Sequence, residues 1–294
     1  MRRKLWVLMV LLFASGIVTL KIFPNTDARE VIASQSGVSA QETEYGVLSG
    51  DSVKFAAHRG YSNYAPENSI PAFELAGKMG FWGIETDISQ TSDGYFVCMH
   101  DEDIDRTTDG SGAVSDYTLE ELSGFKIDTG NYVSTTENLK IPTFEEYLEI
   151  CVRYGCAAVV EIKTISDYDA FLSTIIESGL ENNCIITCNN IDTLKEIRAR
   201  NSVIPVMTIG YDPAPYTDNL AYISEISENR GILYQYTQIE DKSVVDMLHQ
   251  QGLYCGVWSI DDSDTAWQYL DYGVDFIVTN EIPARLEQMI NENE

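Results

Sequence analysis

Positive charge is scarce in this sequence. Its 294 residues carry 19 lysines and arginines against 46 aspartates and glutamates, a formal net charge of -27 at pH 7. Such a surface repels DNA, RNA and anionic lipid headgroups, which argues against a nucleic-acid partner. Histidine is scarcer still, with three in the chain. Cys184 and Cys188 have no histidine near them in sequence, so no zinc-binding pattern is present. Also missing is a Gly-rich turn after the first strand-like run, which removes the dinucleotide-binding type of open sheet.

What is present begins with an apolar run. Arg2, Arg3 and Lys4 precede an uncharged, mostly apolar stretch from Leu5 to Leu20. The stretch is shorter than the ~20 residues of a typical spanning helix, and the best small-residue pair for cleavage, Val38 and Ala40, lies well downstream. Residues 1–23 therefore read as a signal peptide or an N-terminal membrane anchor, and the distant pair leans towards the anchor. The basic flank places the start in the cytoplasm and the rest outside, so the expected location is extracytoplasmic, membrane-anchored or secreted. Residues 24–50, rich in Ser, Thr, Gln and Glu, read as a polar linker. Residues 51–294 have the roughly 250-residue length of one (β/α)8 barrel. Cys98, Cys156, Cys184, Cys188 and Cys255 lie in or beside apolar strand-like runs and are expected as buried thiols, with a Cys151 to Cys156 bridge left open.

From residue 53 onward, strand-like and helix-like segments alternate. Strands are expected at Val53 to Ala57, Trp82 to Ile88, Ala157 to Ile162, Cys184 to Cys188, Val203 to Thr208, Ile232 to Gln235, Tyr254 to Trp258 and Asp275 to Thr279. Helices lie between them, among them one capped by Ser69 with Pro71 in its first turn, and one from Thr143 to Tyr154. Eight βα units imply an α/β fold, a TIM (β/α)8 barrel. Asp101 to Ile141 reads as a small insertion after the second strand, lying over the barrel mouth with one short helix at Thr118 to Leu122.

In such a barrel the functional residues stand where strands end. Those positions carry His58 and Arg59, Glu85 and Asp87, Glu161 and Lys163, Gln235, Trp258 and Asn280. Glu85 and Asp87 are two apart on a strand and share a face. Ser92-Asp93-Gly94-Tyr95 reads as a tight hairpin turn, and with Ser92 facing Tyr95 it would set Asp87 opposite His100, a bulge shifting this by one. Like charges this close call for a divalent metal or a shifted pKa, unless they are solvated on an exposed edge. Two imidazoles beside a metal equip a site to displace an alcohol from a phosphodiester, with Arg59 and Lys163 on the phosphate oxygens. The bland alternative is that His58-Arg59-Gly60 merely ends a strand. His249, beside Val245 and Leu248 on an amphipathic helix, reads as a surface or boundary residue. Trp258 reads equally as a site or a core residue.

The order and spacing of His58-Arg59-Gly60, Pro66-Glu67-Asn68, Ala72-Phe73, Glu85-x-Asp87, Asp93-Gly94, His100-Asp101, Arg106-Thr107-Thr108 and Glu161-x-Lys163 resemble the glycerophosphodiester phosphodiesterases. The resemblance spans nearly the whole exported domain and implies a phosphodiesterase TIM barrel. It further implies calcium or magnesium on Glu85, Asp87 and Glu161, an acid/base pair at His58 and His100, and phosphate contacts from Arg59 and Lys163. The implied reaction releases sn-glycerol 3-phosphate and an alcohol. A lysophospholipase D-like or cyclising phosphodiesterase would look the same, and an inactive surface binding module would have lost one of these groups. Two positions depart from the usual pattern: Trp258-Ser259-Ile260-Asp261 stands for Trp-Thr-x-Asn, and Thr279-Asn280 for Thr-Asp. These departures are expected to affect how the glycerol or alcohol is held and to leave the metal and acid/base groups untouched.

Overall fold

The computed structural model describes residues 47–48, 53–128, 139–210 and 216–282. Residues 1–23, all but Val47 and Leu48 of the 24–50 linker, and part of the Gly, Asn and Thr-rich stretch of the insertion lie outside the described residues.

The strands are β1 (Phe55–Ala57), β2 (Gly83–Gln90), β3 (Phe96–Cys98), β4 (Ala157–Thr164), β5 (Cys184–Cys188), β6 (Val206–Gly210), β7 (Arg230–Gln235), β8 (Leu253–Trp258) and β9 (Phe276–Thr279). All but β3 pair in parallel with their neighbours, and β9 pairs back onto β1 through Ala56 and Val278, so eight strands close a barrel. β3 is the antiparallel return strand beside β2. The helices are α1 (Ile70–Met79), α2 (Leu119–Leu122), α3 (Phe144–Tyr154), α4 (Tyr168–Glu177), α5 (Ile191–Arg200), α6 (Tyr216–Ile223), α7 (Lys242–Gln250) and α8 (Ser263–Tyr272).

Period-two alternation sorts the strand residues into two cores. Phe55, Ile84, Ala158, Val160, Ile186, Ile232, Val257 and Ile277 face the helices, whereas Ala56, Val159, Ile185, Met207, Leu233, Phe276 and Val278 fill the barrel with apolar bulk. Leu48 joins the inner cluster, so the folded body takes in residues ahead of Asp51. On the same inward parity, one step further along, come His58, Asp87, Glu161, Lys163, Trp258 and Asn280. The apolar fill therefore stops short of the strand ends, and the mouth is polar.

Local chemistry sets the elements that frame this mouth. Ser69 caps α1 by accepting from the Ala72 amide, and Thr143 and Glu146 form a reciprocal capping box on α3. Gly60 approaches α1 so closely that a Cβ there would lie 2.7 Å from the Ala72 backbone, and its φ of +78° is one that only glycine takes freely. The insertion packs on its own apolar cluster of Val97, Met99, Ile104, Val114, Leu122, Ile127 and Ile141. All six cysteines are buried and free, Cys151 and Cys156 included.

The hairpin register differs from expectation by one residue. Thr91, not Ser92, faces Tyr95: its amide donates to the Tyr95 carbonyl at 2.8 Å, and Gly94 at φ +92° closes a three-residue loop. Ile88 then pairs with Cys98, and the Met99 amide donates to the Asp87 carbonyl at 2.9 Å, so Met99 takes the place expected of His100. His100 follows β3, just past its end.

Candidate active site

Asp87 and Glu161 are lateral neighbours in the parallel register of β2 and β4, with Glu85 two residues back on the same face. One carboxylate oxygen from each of the three lies within 4.8 Å of the others. Glu85 and Asp87 are 4% and 1% exposed, which removes the reading of solvated edge carboxylates. Two cations face them. Lys163 Nζ lies 2.5 Å from Glu161 Oε1 and 3.2 Å from Asp87 Oδ1, and Arg59 Nε lies 3.5 Å from Asp87 Oδ2. Arg59 also donates its backbone amide to Glu85 Oε2 at 2.7 Å, a geometry that its φ of +54° makes available.

Three carboxylates, two buried and Glu161 partly so, would leave negative charge in excess of the two cations if all were ionised, and the protonation states follow. Burial, then the charges of Asp87 and Glu161, push Glu85 well above the usual carboxylate range. Burial and Asp87 push Glu161 up to about 7. Burial also opposes ionisation of Asp87, but Lys163 and then Arg59 outweigh it and hold its carboxyl low.

The histidines flank this cluster with different partners. His58 Nδ1 sits 2.8 Å from Asn280 Oδ1 at the end of β9, and burial followed by the adjacent Arg59 charge lowers its pKa. His100 Nδ1 sits 2.6 Å from Asp101 Oδ1. Asp101 is gripped by Arg106, with Nε at 2.6 Å, and Arg106 reaches on to both oxygens of Glu67 at 2.8 Å. Glu67 in turn accepts from Arg59 at 2.8 Å. Burial opposes the charge on Glu67, but Arg106 and Arg59 draw its pKa down to about 2.

The structure thus brings His58, His100, Arg59, Lys163, Glu85, Asp87 and Glu161 to one mouth. Trp258, at the end of β8, packs partly buried against the apolar fill of the barrel. His249 lies apart, on α7, bonded to Asp275 at 3.1 Å. Sequence reasoning gave no role to Asn68, whose buried amide donates to Asp87 Oδ2 at 2.8 Å while its oxygen accepts from Thr86 Oγ1 at 2.8 Å. Glu67, Asp101 and Arg106 were visible only as parts of a motif. Asn280 needs a correction, because the departure at Thr279-Asn280 does touch one of the two histidines expected as the acid/base pair: it places an amide on His58.

The glycerophosphoryl diester phosphodiesterase family profile matches residues 58–284. The glycerophosphodiester phosphodiesterase of Caldanaerobacter subterraneus is 31% identical over 245 residues, covering 80% of this chain and 97% of that protein. The Bacillus subtilis glycerophosphodiester phosphodiesterase is 30% identical over 258 residues, covering 80% and 85%. Among solved structures, a phosphodiesterase of Oleispira antarctica in complex with the product sn-glycerol-3-phosphate has the same fold, with a TM-score of 0.67 and 24% identity over 81% of this chain and 96% of that one. With its own barrel, acidic cluster and paired histidines agreeing with the match over most of its length, the chain belongs to the glycerophosphoryl diester phosphodiesterase family.

Proposed function

We propose that the protein hydrolyses glycerophosphodiesters to sn-glycerol 3-phosphate and a free alcohol, with a divalent cation on Glu85, Asp87 and Glu161 and with His58 and His100 as base and acid. The observation that supports this most is a pair of differently partnered imidazoles beside three clustered carboxylates, two of them buried. The carboxylates suit a hard cation such as calcium or magnesium: they offer only oxygen, they outnumber the two cations beside them, and buried Asp87 Oδ1 is met only by the Lys163 ion pair at 3.2 Å. When bound, such an ion supplies positive charge to the phosphate oxygens.

The side chains do the rest. Buried Arg59 Nε makes no hydrogen bond and is an available donor for a phosphate oxygen, with Lys163 beside it as a second positive charge. His58, held through Nδ1, presents Nε2 to take a proton from the attacking water or from the glycerol 2-hydroxyl. His100, held through Nδ1 by Asp101, presents Nε2 to protonate the leaving oxygen. Trp258 offers an apolar wall for the alcohol moiety. Residues 1–23 keep the enzyme outside the cell, anchored or released, and the linker ahead of Val47 acts as the tether. If the mature N-terminus lies between Ser34 and Gln41 in the medium, release is the answer.

The test is to incubate the chain with several glycerophosphodiesters and lysolipids, with and without chelator, and to measure free glycerol 3-phosphate. Cation-dependent release from the diesters supports the proposal. Turnover of lysolipids alone, or accumulation of a cyclic phosphate, would transfer it to the related chemistries, and no turnover would overturn it.

A further inference from the structure

The hydrogen bond on His58 does not end at Asn280. Asn280 Nδ2 donates to Asp261 Oδ2 at 2.9 Å, and the other oxygen of Asp261 accepts from the Asn280 amide at 2.7 Å and from Thr279 Oγ1 at 3.1 Å. The hydroxyl of Thr279 itself accepts from the amides of Glu281 and Ile282, both at 3.2 Å, so its proton is directed at Asp261. Asp261 is thereby fixed by three donors from β9 and the loop that follows it.

This fixes more than position. An amide side chain can be turned end for end with little change of shape, and its two ends have opposite hydrogen-bonding sense. A carboxylate accepts only. The end of Asn280 that meets Asp261 must therefore be the NH2, and the end that meets His58 must be the oxygen. An oxygen there demands a proton on His58 Nδ1, and a neutral imidazole protonated at Nδ1 has its lone pair at Nε2. Ser62 Oγ, 3.1 Å from the same oxygen, donates in the same sense.

We propose that Asp261 is a positioning residue that acts through Asn280 to hold His58 in the tautomer whose Nε2 is free to accept a proton. The inference rests on the reading of His58 as the general base. Burial, which lowers the His58 pKa, agrees with it by keeping the ring neutral. The chain separates the charge from the imidazole by one amide, so the ring is oriented by a carboxylate without a direct ion pair that would favour the imidazolium.

Exchanging the two side chains is diagnostic. In Asp261→Asn the new amide keeps its oxygen on the Asn280 and Thr279 donors, so its NH2 meets the NH2 of Asn280. Asn280 relieves the clash by turning, which sets a donor against His58 and moves the imidazole proton to Nε2. Adding Asn280→Asp restores an acceptor for both neighbours, and with it the original tautomer.

With only three histidines in the chain, 15N spectra of the full chain at saturating calcium, at a pH where His58 is neutral, read the tautomer directly. The wild type should carry the proton on Nδ1. Asp261→Asn should move it in part or fully to Nε2 and lower kcat by more than tenfold, with KM changed less than about threefold. The double exchange should return both to within a few fold of wild type. A wild-type proton on Nε2, an unchanged tautomer in Asp261→Asn, or a loss of kcat that the double exchange does not recover would overturn the relay. The spectra answer even if none of the glycerophosphodiesters is turned over, an outcome that would sink the proposed function and leave the relay standing.

Discussion

Asn68 shows what a single buried amide does for this site. It bonds Asp87 and Thr86 at once from a backbone at φ +48°, a conformation asparagine tolerates better than most residues. Asn68→Ala removes a donor from a fully buried carboxylate and leaves an alanine in the left-handed region, so unfolding stability should fall by about 2–3 kcal/mol in a urea titration. An unchanged midpoint would mean that the bond contributes nothing. The seven ionisable groups of the mouth were legible in the sequence because each lies on or just past a strand, five of them, His58, Glu85, Asp87, Glu161 and Lys163, with inward parity. Asn68, Asn280 and Asp261 were not legible in these roles, since their partners are distant in sequence. Asn280 meets His58 across 222 positions. Polarity alone does not say which of many surface amides will be drawn into such a bond.

At the scale of elements, the hairpin between β2 and β3 places His100, and its turn proved one residue longer than the Asp-Gly pattern suggested. Asp-Gly serves two-residue and three-residue loops alike, and the choice lay with Thr91, whose hydroxyl accepts from the Tyr95 amide at 2.9 Å. Gly94→Ala should cost about 1–2 kcal/mol in the same unfolding measurement, because alanine at φ +92° is strained. The entry of β6 was also misjudged, at Val203 instead of Val206. Asn201 Oδ1 takes the Val203 and Ile204 amides at 2.8 Å, and Pro205 has none to offer, so pairing starts after the proline. The insertion acts on the site through Arg106, which joins Asp101 to Glu67. Its ion pairs are half exposed and add little stability, about 0–1 kcal/mol. Arg106→Ala should therefore leave the melting temperature nearly unchanged while His100, no longer held through Asp101, loses roughly tenfold to a hundredfold in kcat. Equal losses in stability and rate would instead mark Arg106 as a structural clamp.

For the whole molecule, strict alternation of strands and helices over the length of one domain made the barrel legible, and the closed parallel order agrees. Spacing pointed to a shifted pKa among the close carboxylates, but which group shifts and in which direction depends on all the charges of the mouth together. Glu161, raised to about 7, keeps a proton in the folded protein that the unfolded chain loses near the ordinary carboxylate range. Without cation, its contribution is fully present below that range and is lost as pH rises through about 7; Glu85 acts in the same sense. Asp87, held low, contributes above the ordinary range and loses its contribution as pH falls through its depressed value. In EDTA the melting temperature should fall between pH 5.5 and 8. Excess calcium should abolish most of that fall, because the ion takes the place of the protons. The same calcium-induced rise at both pH values would contradict the coupling.

The central claim is that His58 and His100 divide the proton transfers, and it is tested most directly by the leaving-group dependence of the two alanine variants. On a glycerophosphodiester with an alkyl alcohol, His58→Ala and His100→Ala should each lower kcat by roughly 10²- to 10⁴-fold. On glycerophosphate esterified to nitrophenol, whose leaving oxygen needs little protonation, His100→Ala should recover most of its rate and His58→Ala should stay impaired. Rescue of His58→Ala instead would reverse the two roles. Losses of less than about tenfold in both variants would contradict the paired-histidine account altogether.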